Sequence, residues 1–284
     1  MKCKRIFQSN RLKTIKKLMK SIFYLVALFL TFCSCSEYQK VLNSEDIAAK
    51  YKAGEALYDA GKFVKANRLF EQIIPKYRGK PQAERLMFLN ADALFQDNRF
   101  FRAGYHFERF VSAYPKSSKI EEALFKAAKS YYKQSPVYSK DQEETYKALE
   151  KLQEYINIYP ESNNSSEINA LVKELSGKLE KKAFEIAKQY NRISDYKASV
   201  SAIDNFIIDF PGSALREEAL YLKFDSSYQL ATKSVEYKKK ARLETAILNY
   251  KTLKRAYANS EFLEDAATKY EDALEQLEQY NTKS

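Results

Sequence analysis

Tyr114-Pro115-Lys116-Ser117-Ser118-Lys119-Ile120-Glu121-Glu122-Ala123-Leu124-Phe125 and Phe210-Pro211-Gly212-Ser213-Ala214-Leu215-Arg216-Glu217-Glu218-Ala219-Leu220-Tyr221 share one order of residue types. An aromatic residue and a proline come first. A serine follows two positions later, and then Glu-Glu-Ala-Leu-aromatic. Proline ends a helix because it lacks an N–H and crowds the preceding turn. Polar residues restart the next one, with Ser118 and Glu121 at capping-box spacing. The paired acids then sit at the positive end of the new helix. Working outward, Tyr159-Pro160 with Ser162 repeats the boundary. Tyr77 and Tyr257 are variants without proline, and Glu264-Asp265-Ala266-Ala267 keeps the acidic start after the last of them. Self-similarity at this length is the mark of a repeat protein.

Inside the units, small and aromatic residues recur at the spacing of a tetratricopeptide repeat, two antiparallel helices that need small residues where they touch. The first unit places Gly54, Gly61, Phe63, Ala66 and Phe70 on that pattern, and the second Ala91, Phe100, Ala103, Phe107 and Phe110. The third has Ala128, Ala148, Leu152 and Tyr155, with about eight extra residues around Ser135 to Glu143 between its helices. The fourth has Ala187, Tyr196, Ser199, Ile203 and Phe206. The fifth has Ala246, Tyr250 and Leu253, with roughly ten extra residues near Ala231 to Arg242 lengthening its inter-helix region. One repeat cannot bury its apolar face alone, so stacked units share a continuous core. The six Gly and six Pro of the chain also favour helix over a β-sandwich or barrel. The expectation is an all-α superhelical solenoid of about five tetratricopeptide repeats, closed by a capping helix from Glu264 to about Tyr280.

The N-terminus reads as an export signal. Eight basic residues (Lys2, Lys4, Arg5, Arg11, Lys13, Lys16, Lys17, Lys20) and no acid precede Cys35, with the apolar run Ile22 to Phe32 between them and Cys33-Ser34-Cys35. Eleven helical residues span roughly 16 Å, short of the ~30 Å hydrocarbon core, so the run suits a cleaved signal. Met19-Lys20 would itself begin a compact signal peptide. Ser34 is the small residue a lipoprotein signal peptidase accepts, which makes Cys35 the expected lipid-bearing residue. The alternative is ordinary cleavage that leaves a free thiol. The expected organisation is a signal peptide over 1–34, a lipidated linker over 35–46, repeats one to three over 47–160, and repeats four and five with the cap over 161–284.

Export alters the charge argument. The chain carries 48 basic and 37 acidic residues, and removing the eight basic residues before Cys35 takes the net charge from +11 to +3. A nucleic-acid binder keeps a dense basic surface after processing, so nucleic acid is set aside. All three cysteines lie at or before position 35, which leaves the folded part without thiol or disulfide chemistry. The single histidine, His106, is expected on the solvent side of its helix. No Cys/His cluster, glycine-rich phosphate loop or nucleophile elbow is present. No cofactor, metal or catalytic residue is therefore expected.

A lipoprotein cysteine followed by five such repeats, with an insert at Ser135-Pro136-Val137-Tyr138 and a terminal cap helix, resembles the BamD family of the outer-membrane β-barrel assembly machinery. The resemblance covers essentially all of the chain after Cys35; Arg78 stands where that family's first repeat usually has proline. It implies a non-catalytic scaffold, lipid-anchored to the outer membrane and facing the periplasm. In that family the N-terminal repeats bind unfolded outer-membrane proteins and the C-terminal repeats dock on the POTRA domains of BamA. Candidate substrate-binding residues are Tyr51, Tyr58, Tyr77 and Arg85; Tyr51 and Tyr58 lie seven apart, on one face of a helix. Candidate partner-binding residues are Lys238, Lys239, Lys240 and Arg242. The alternative reading is another periplasmic tetratricopeptide-repeat lipoprotein that coordinates envelope or division complexes.

Overall fold

A computed structural model describes residues 37–281, so Cys35 and the expected signal segment lie outside the described residues. All regular structure among the described residues is helical. After a helical stretch over residues 37–43 come α1 (Ile47–Asp59), α2 (Phe63–Tyr77), α3 (Ala83–Gln96), α4 (Phe100–Ala113) and α5 (Ile120–Gln134). Then follow α6 (Glu143–Ile158), α7 (Ser165–Arg192), α8 (Tyr196–Asp209), α9 (Arg216–Thr232), α10 (Glu236–Ala256) and α11 (Leu263–Asn281). The chain forms two compact units, one ending at Lys133 and one beginning at Gln134.

The aromatic–serine boundary is a hydrogen-bonded turn used repeatedly. The carbonyls of Tyr114, Tyr159, Phe210 and Tyr257 accept from the N–H groups of Ser117, Ser162, Ser213 and Ser260 at 3.0–3.2 Å. Each of these serines then accepts, through Oγ, the N–H two residues on, at 2.9–3.2 Å. The serine at the start of α5 that does this is Ser117, where the sequence pattern points to Ser118 with Glu121. Its side chain sits one residue closer to the turn and reaches the orphan N–H of Lys119 without waiting for the helix to begin. In the first unit Arg78 replaces the proline, and Gly79 makes the turn at φ 76°.

Within the hairpins a second device recurs. Gly61, Asn98 and Ser194, each two residues before an aromatic helix start, take φ of 69°, 59° and 65°. This left-handed conformation reverses the chain in three residues, and glycine and asparagine adopt it most easily.

In the first unit α1 and α2 touch at Gly54. A Cβ there would lie 2.9 Å from Phe70 Cδ1 and closer still to Cε1. Phe70 is itself fully buried, among Ala66, Ile73, Ala83 and Leu86. The next layer is built the same way: Phe107 and Phe110 meet Ala91, Ala103, Ala123 and Ala127, with Phe88 edge-on to both phenylalanines at 5.9 and 5.4 Å.

In the second unit the insert over 135–142 is a non-helical segment. It is organised by the buried side-chain amide of Gln142, which donates to the carbonyls of Val137, Lys140 and Asp141 at 2.9–3.2 Å. Lys178 and Lys182 of α7 tie it down through Ser135 Oγ (2.7 Å) and the Lys140 carbonyl (2.5 Å). The insert in the fifth repeat does not lengthen the connection between helices, as the motif spacing suggests. Only residues 233–235 separate α9 from α10, and the extra residues are turns of helix. They are helical because Ala231, Leu243 and Ile247 bury against Ala273 of α11, an apolar contact a loop would forfeit. The terminal helix therefore shares a core with α9 and α10, with Tyr250 stacked on Tyr270 at 4.1 Å.

We expect Gly54→Ala to destabilise the protein by about 1–3 kcal/mol, the usual cost of overpacking, because the enclosed Phe70 ring has no free space to yield into. Chemical denaturation measures this; unchanged stability contradicts it.

Candidate functional site

The first unit contains a groove of about 480 Å³ between α1, α3 and α5. Its apolar floor is Phe88, Leu89 and Phe110, and its polar lining includes Tyr58, Arg85, Asp92, Lys119, Glu122 and Lys126. Asp92 is the keystone. Its carboxylate is buried, accepts the Tyr58 hydroxyl, and pairs with Lys126 Nζ at 2.6 Å. Lys126 also bonds Glu122 at 2.8 Å, and Glu122 takes Lys119 at the same distance. Both lysine ammoniums stand over the Phe88 ring, 5.4 and 5.5 Å from its centroid, where the ring's π face attracts each of them.

The electrostatics follow from those contacts. Burial, then the Asp92 hydrogen bond, pushes the Tyr58 phenol far above its ordinary 10.0, so it stays a donor. Burial works against the Lys126 charge, but the bonds to Asp92 and Glu122 outweigh it and raise the group above its ordinary value. Burial likewise opposes the Glu122 charge, and the two lysines overcome it and hold its carboxyl below the usual range. The network is fixed, charged and anchored on three successive inner helices.

Three of the four aromatic and basic candidates come together here. Tyr58 and Arg85 line the groove. Tyr51 lies beside the Glu55–Arg85 ion pair, which closes at 2.7 Å. Tyr77 is buried at 8% exposure and stacks on Tyr51 at 5.3 Å, which puts it in the core behind the groove. His106 is half-buried and not on the solvent side. Its Nδ1 lies 3.4 Å from the side-chain nitrogen of Asn90, which in turn bonds Asn67 at 2.7 Å. Helix α4 turns this position toward α3 because Ala103, Phe107 and Phe110 must face inward.

In the second unit Lys238 and Lys240 are exposed on α10 and Lys239 is half-buried. Lys238 Nζ lies 5.2 Å over the ring of Tyr237, which is 81% exposed. Arg242 donates to Ser234 Oγ and so braces the tight turn into the helix.

A family model described as YfiO, outer membrane lipoprotein, matches residues 44–201 and 176–283. The chain belongs to this family. It is also the family of BamD, to which the repeats and the lipoprotein cysteine pointed. No curated protein sequence matches the chain. Among solved structures, the TPR2AB domain of yeast Sti1 in its pHSP90 complex is similar at 16% identity and a TM-score of 0.36. That match covers 80% of this chain and 98% of that one. A likeness at this level says nothing about what this YfiO-family chain binds. No helix among its described residues is long and apolar enough to cross a membrane, and no group of metal-ligating side chains occurs among them.

Asp92, Lys126 and Phe88 are not among the residues that sequence reasoning singles out, and Glu122 is read there only as one of the paired acids at a helix start. A signal exists: Tyr58, Asp92 and Lys126 are each 34 residues apart, so they occupy one register position on three successive inner helices. The second unit repeats the arrangement with other partners. Asp225 accepts from Asn191 at 3.0 Å and pairs with Lys269 at 2.7 Å, and Lys269 also holds Asp265 at 2.7 Å.

Asp92→Ala should cost about 3 kcal/mol, the low end for breaking a buried pair, because Lys126 keeps Glu122. Replacing both Asp92 and Lys126 by Leu and Met should recover most of that loss in the same unfolding assay. His106 offers a pH test. Burial first, then Arg102 and Arg109, hold it below its ordinary 6.5. The folded state therefore prefers neutral imidazole while the unfolded chain binds a proton. Stability is complete above about 6.5 and declines as pH falls beneath it. His106→Gln should flatten the melting temperature between about pH 7.5 and 5.5; a wild-type curve already flat there refutes the assignment.

Proposed function

We propose that this protein is a non-catalytic scaffold, anchored to the outer membrane by lipid on Cys35 and facing the periplasm. In this reading it holds unfolded outer-membrane β-barrel proteins and docks on the POTRA domains of BamA, for barrel assembly and insertion. The observation that carries the reading is the groove of the first unit, in a member of an outer membrane lipoprotein family. A transmembrane β-strand alternates apolar and polar side chains. The groove offers both kinds of contact: Phe88 and Leu89 for the apolar side chains, Arg85, Lys119 and Glu122 for the polar ones. Tyr58 adds its ring at the α1 wall, and Tyr51 stands beside the Glu55–Arg85 pair.

The docking surface in this reading lies on α10. Tyr237 and Leu248 are 81% and 62% exposed, eleven residues apart on one helical face, with Lys238 and Lys240 beside them. Such charge mainly speeds encounter and fixes orientation, and the apolar neighbours supply the affinity.

A photocrosslinker at Tyr58 or Arg85 should trap a nascent barrel protein, whereas one at Leu248 should trap BamA. Crosslinks to barrel proteins from Leu248 alone would reverse the assignment. The triple variant Lys238→Glu, Lys239→Glu, Lys240→Glu should capture BamA less well at low salt, with unchanged helicity. Mass spectrometry of the mature N-terminus decides the anchor, since an unmodified start beyond Cys35 excludes it.

A further inference from the structure

The first unit carries a second surface, outside the groove. On α4, Phe101 and Tyr105 are 73% and 54% exposed, and on α2 Val64 is 50% exposed. Phe101, Tyr105 and Arg109 are four residues apart in turn and share one face. The Arg109 guanidinium lies 5.7 Å over the Tyr105 ring. The exposed acid on α2, Glu71, is neutralised by Arg102, which links the two helices, and Glu108 of α4 accepts the Tyr131 hydroxyl at 2.8 Å. Glu108 keeps its charge, and Lys65, Arg68 and Arg109 outnumber it, so this face is positive among exposed aromatic rings.

The same face receives the helical stretch over residues 37–43. The Tyr38 hydroxyl donates to the Lys65 carbonyl at 3.5 Å, Lys65 Nζ stands 5.1 Å over the Tyr38 ring, and Arg68 is close enough to act on its phenol. Leu42, four residues on, is 5% exposed and fastens this stretch to the unit. Cys35 precedes Tyr38 by three residues in the sequence, and three residues of chain span at most about 11 Å. An acyl chain on Cys35 would thus hold bilayer at the edge of this face, and a tether that short makes a weak surface contact effectively intramolecular.

We infer that the exposed face of α2 and α4 lies on the bilayer surface, with Phe101 and Tyr105 in the headgroup layer and Arg68 and Arg109 against anionic lipid phosphates. Aromatic residues favour that layer, and basic side chains are drawn to anionic headgroups. The groove, lined by none of these residues, stays open to a peptide. The inference rests on the lipid anchor proposed above only for its tether; the surface itself is a property of residues 64–109.

The chain has no tryptophan, so Phe101→Trp is a single fluorescent reporter. We expect its emission to shift to the blue, and to be quenched by brominated lipid, when the full lipidated protein is reconstituted into phosphatidylethanolamine–phosphatidylglycerol vesicles. Arg85→Trp, in the groove of the same unit, should stay unquenched. With Cys35→Ala the blue shift should persist at higher lipid concentration. There, Arg68→Gln and Arg109→Gln should each weaken vesicle binding about fivefold. If the Phe101→Trp protein, lipidated and vesicle-bound, keeps water-like and unquenched indole emission, the inference is overturned and the anchor stands. An unlipidated Cys35 with the vesicle shift retained removes the anchor and supports the surface. A shift that requires BamA and not lipid assigns the face to a protein and overturns the inference.

Discussion

Phe70 fills the space that any side chain at position 54 would need. That contact between a large ring on one helix and a missing side chain on its neighbour is the constraint from which the rest follows. Two helices of about fifteen residues bury too little apolar area to be stable by themselves. Close approach makes the most of each ring, and the ring then reaches the next hairpin, as Phe70 reaches Ala83 and Leu86. The same solution recurs where Phe107 and Phe110 meet alanines and where Phe184 and Phe206 meet Ala187 and Ala219. Each layer therefore depends on its neighbour.

Stacking fixed in this way sets inner-helix residues at regular intervals, and the polar chemistry exploits that. Asp92 bonds residues 34 before and 34 after itself, and Asp225 bonds residues 34 before and 44 after. A buried carboxylate is costly without partners. Here the partners come from the two flanking helices, so the ion network forms only when three successive helices are in place. No buried side-chain polar atom among the described residues lacks a hydrogen-bond partner. The network consequently reports correct stacking while presenting Lys119, Lys126 and Glu122 at the groove. Stability and the charged lining of the groove use the same side chains, and a substitution at Asp92 will affect both.

The repeat boundaries show how well local chemistry can be read from sequence. Tyr114-Pro115, Tyr159-Pro160 and Phe210-Pro211 end helices, and the serines two residues beyond the proline begin turns, because proline and a short hydroxyl side chain act within a few residues of themselves. The pattern is off by one residue at Ser117 and Ser118, where both serines satisfy it and only backbone geometry chooses. It also makes the fifth-repeat insert a connection, whereas Leu243 and Ile247 are helical because Ala273, some thirty residues later, covers them. In the candidate site, Tyr58 and Arg85 are legible as groove residues from their place in the repeat. Tyr77 is not separable from them, since an aromatic ring in the core and one at a surface look alike in sequence.

What the sequence determined by itself was therefore the periodic part: an all-α chain, its repeat phase, and the helix ends at the aromatic–proline pairs. These depend on interactions within a few residues or on patterns that repeat. Tertiary structure alone decided which side chains would meet. It paired Asp92 with Lys126, turned His106 toward Asn90, closed α10 against α11, and drew Tyr38 onto Lys65. Each of those contacts joins residues far apart in the chain. Their partners are set by helix rotation and packing depth, quantities that arise only when buried volume is filled.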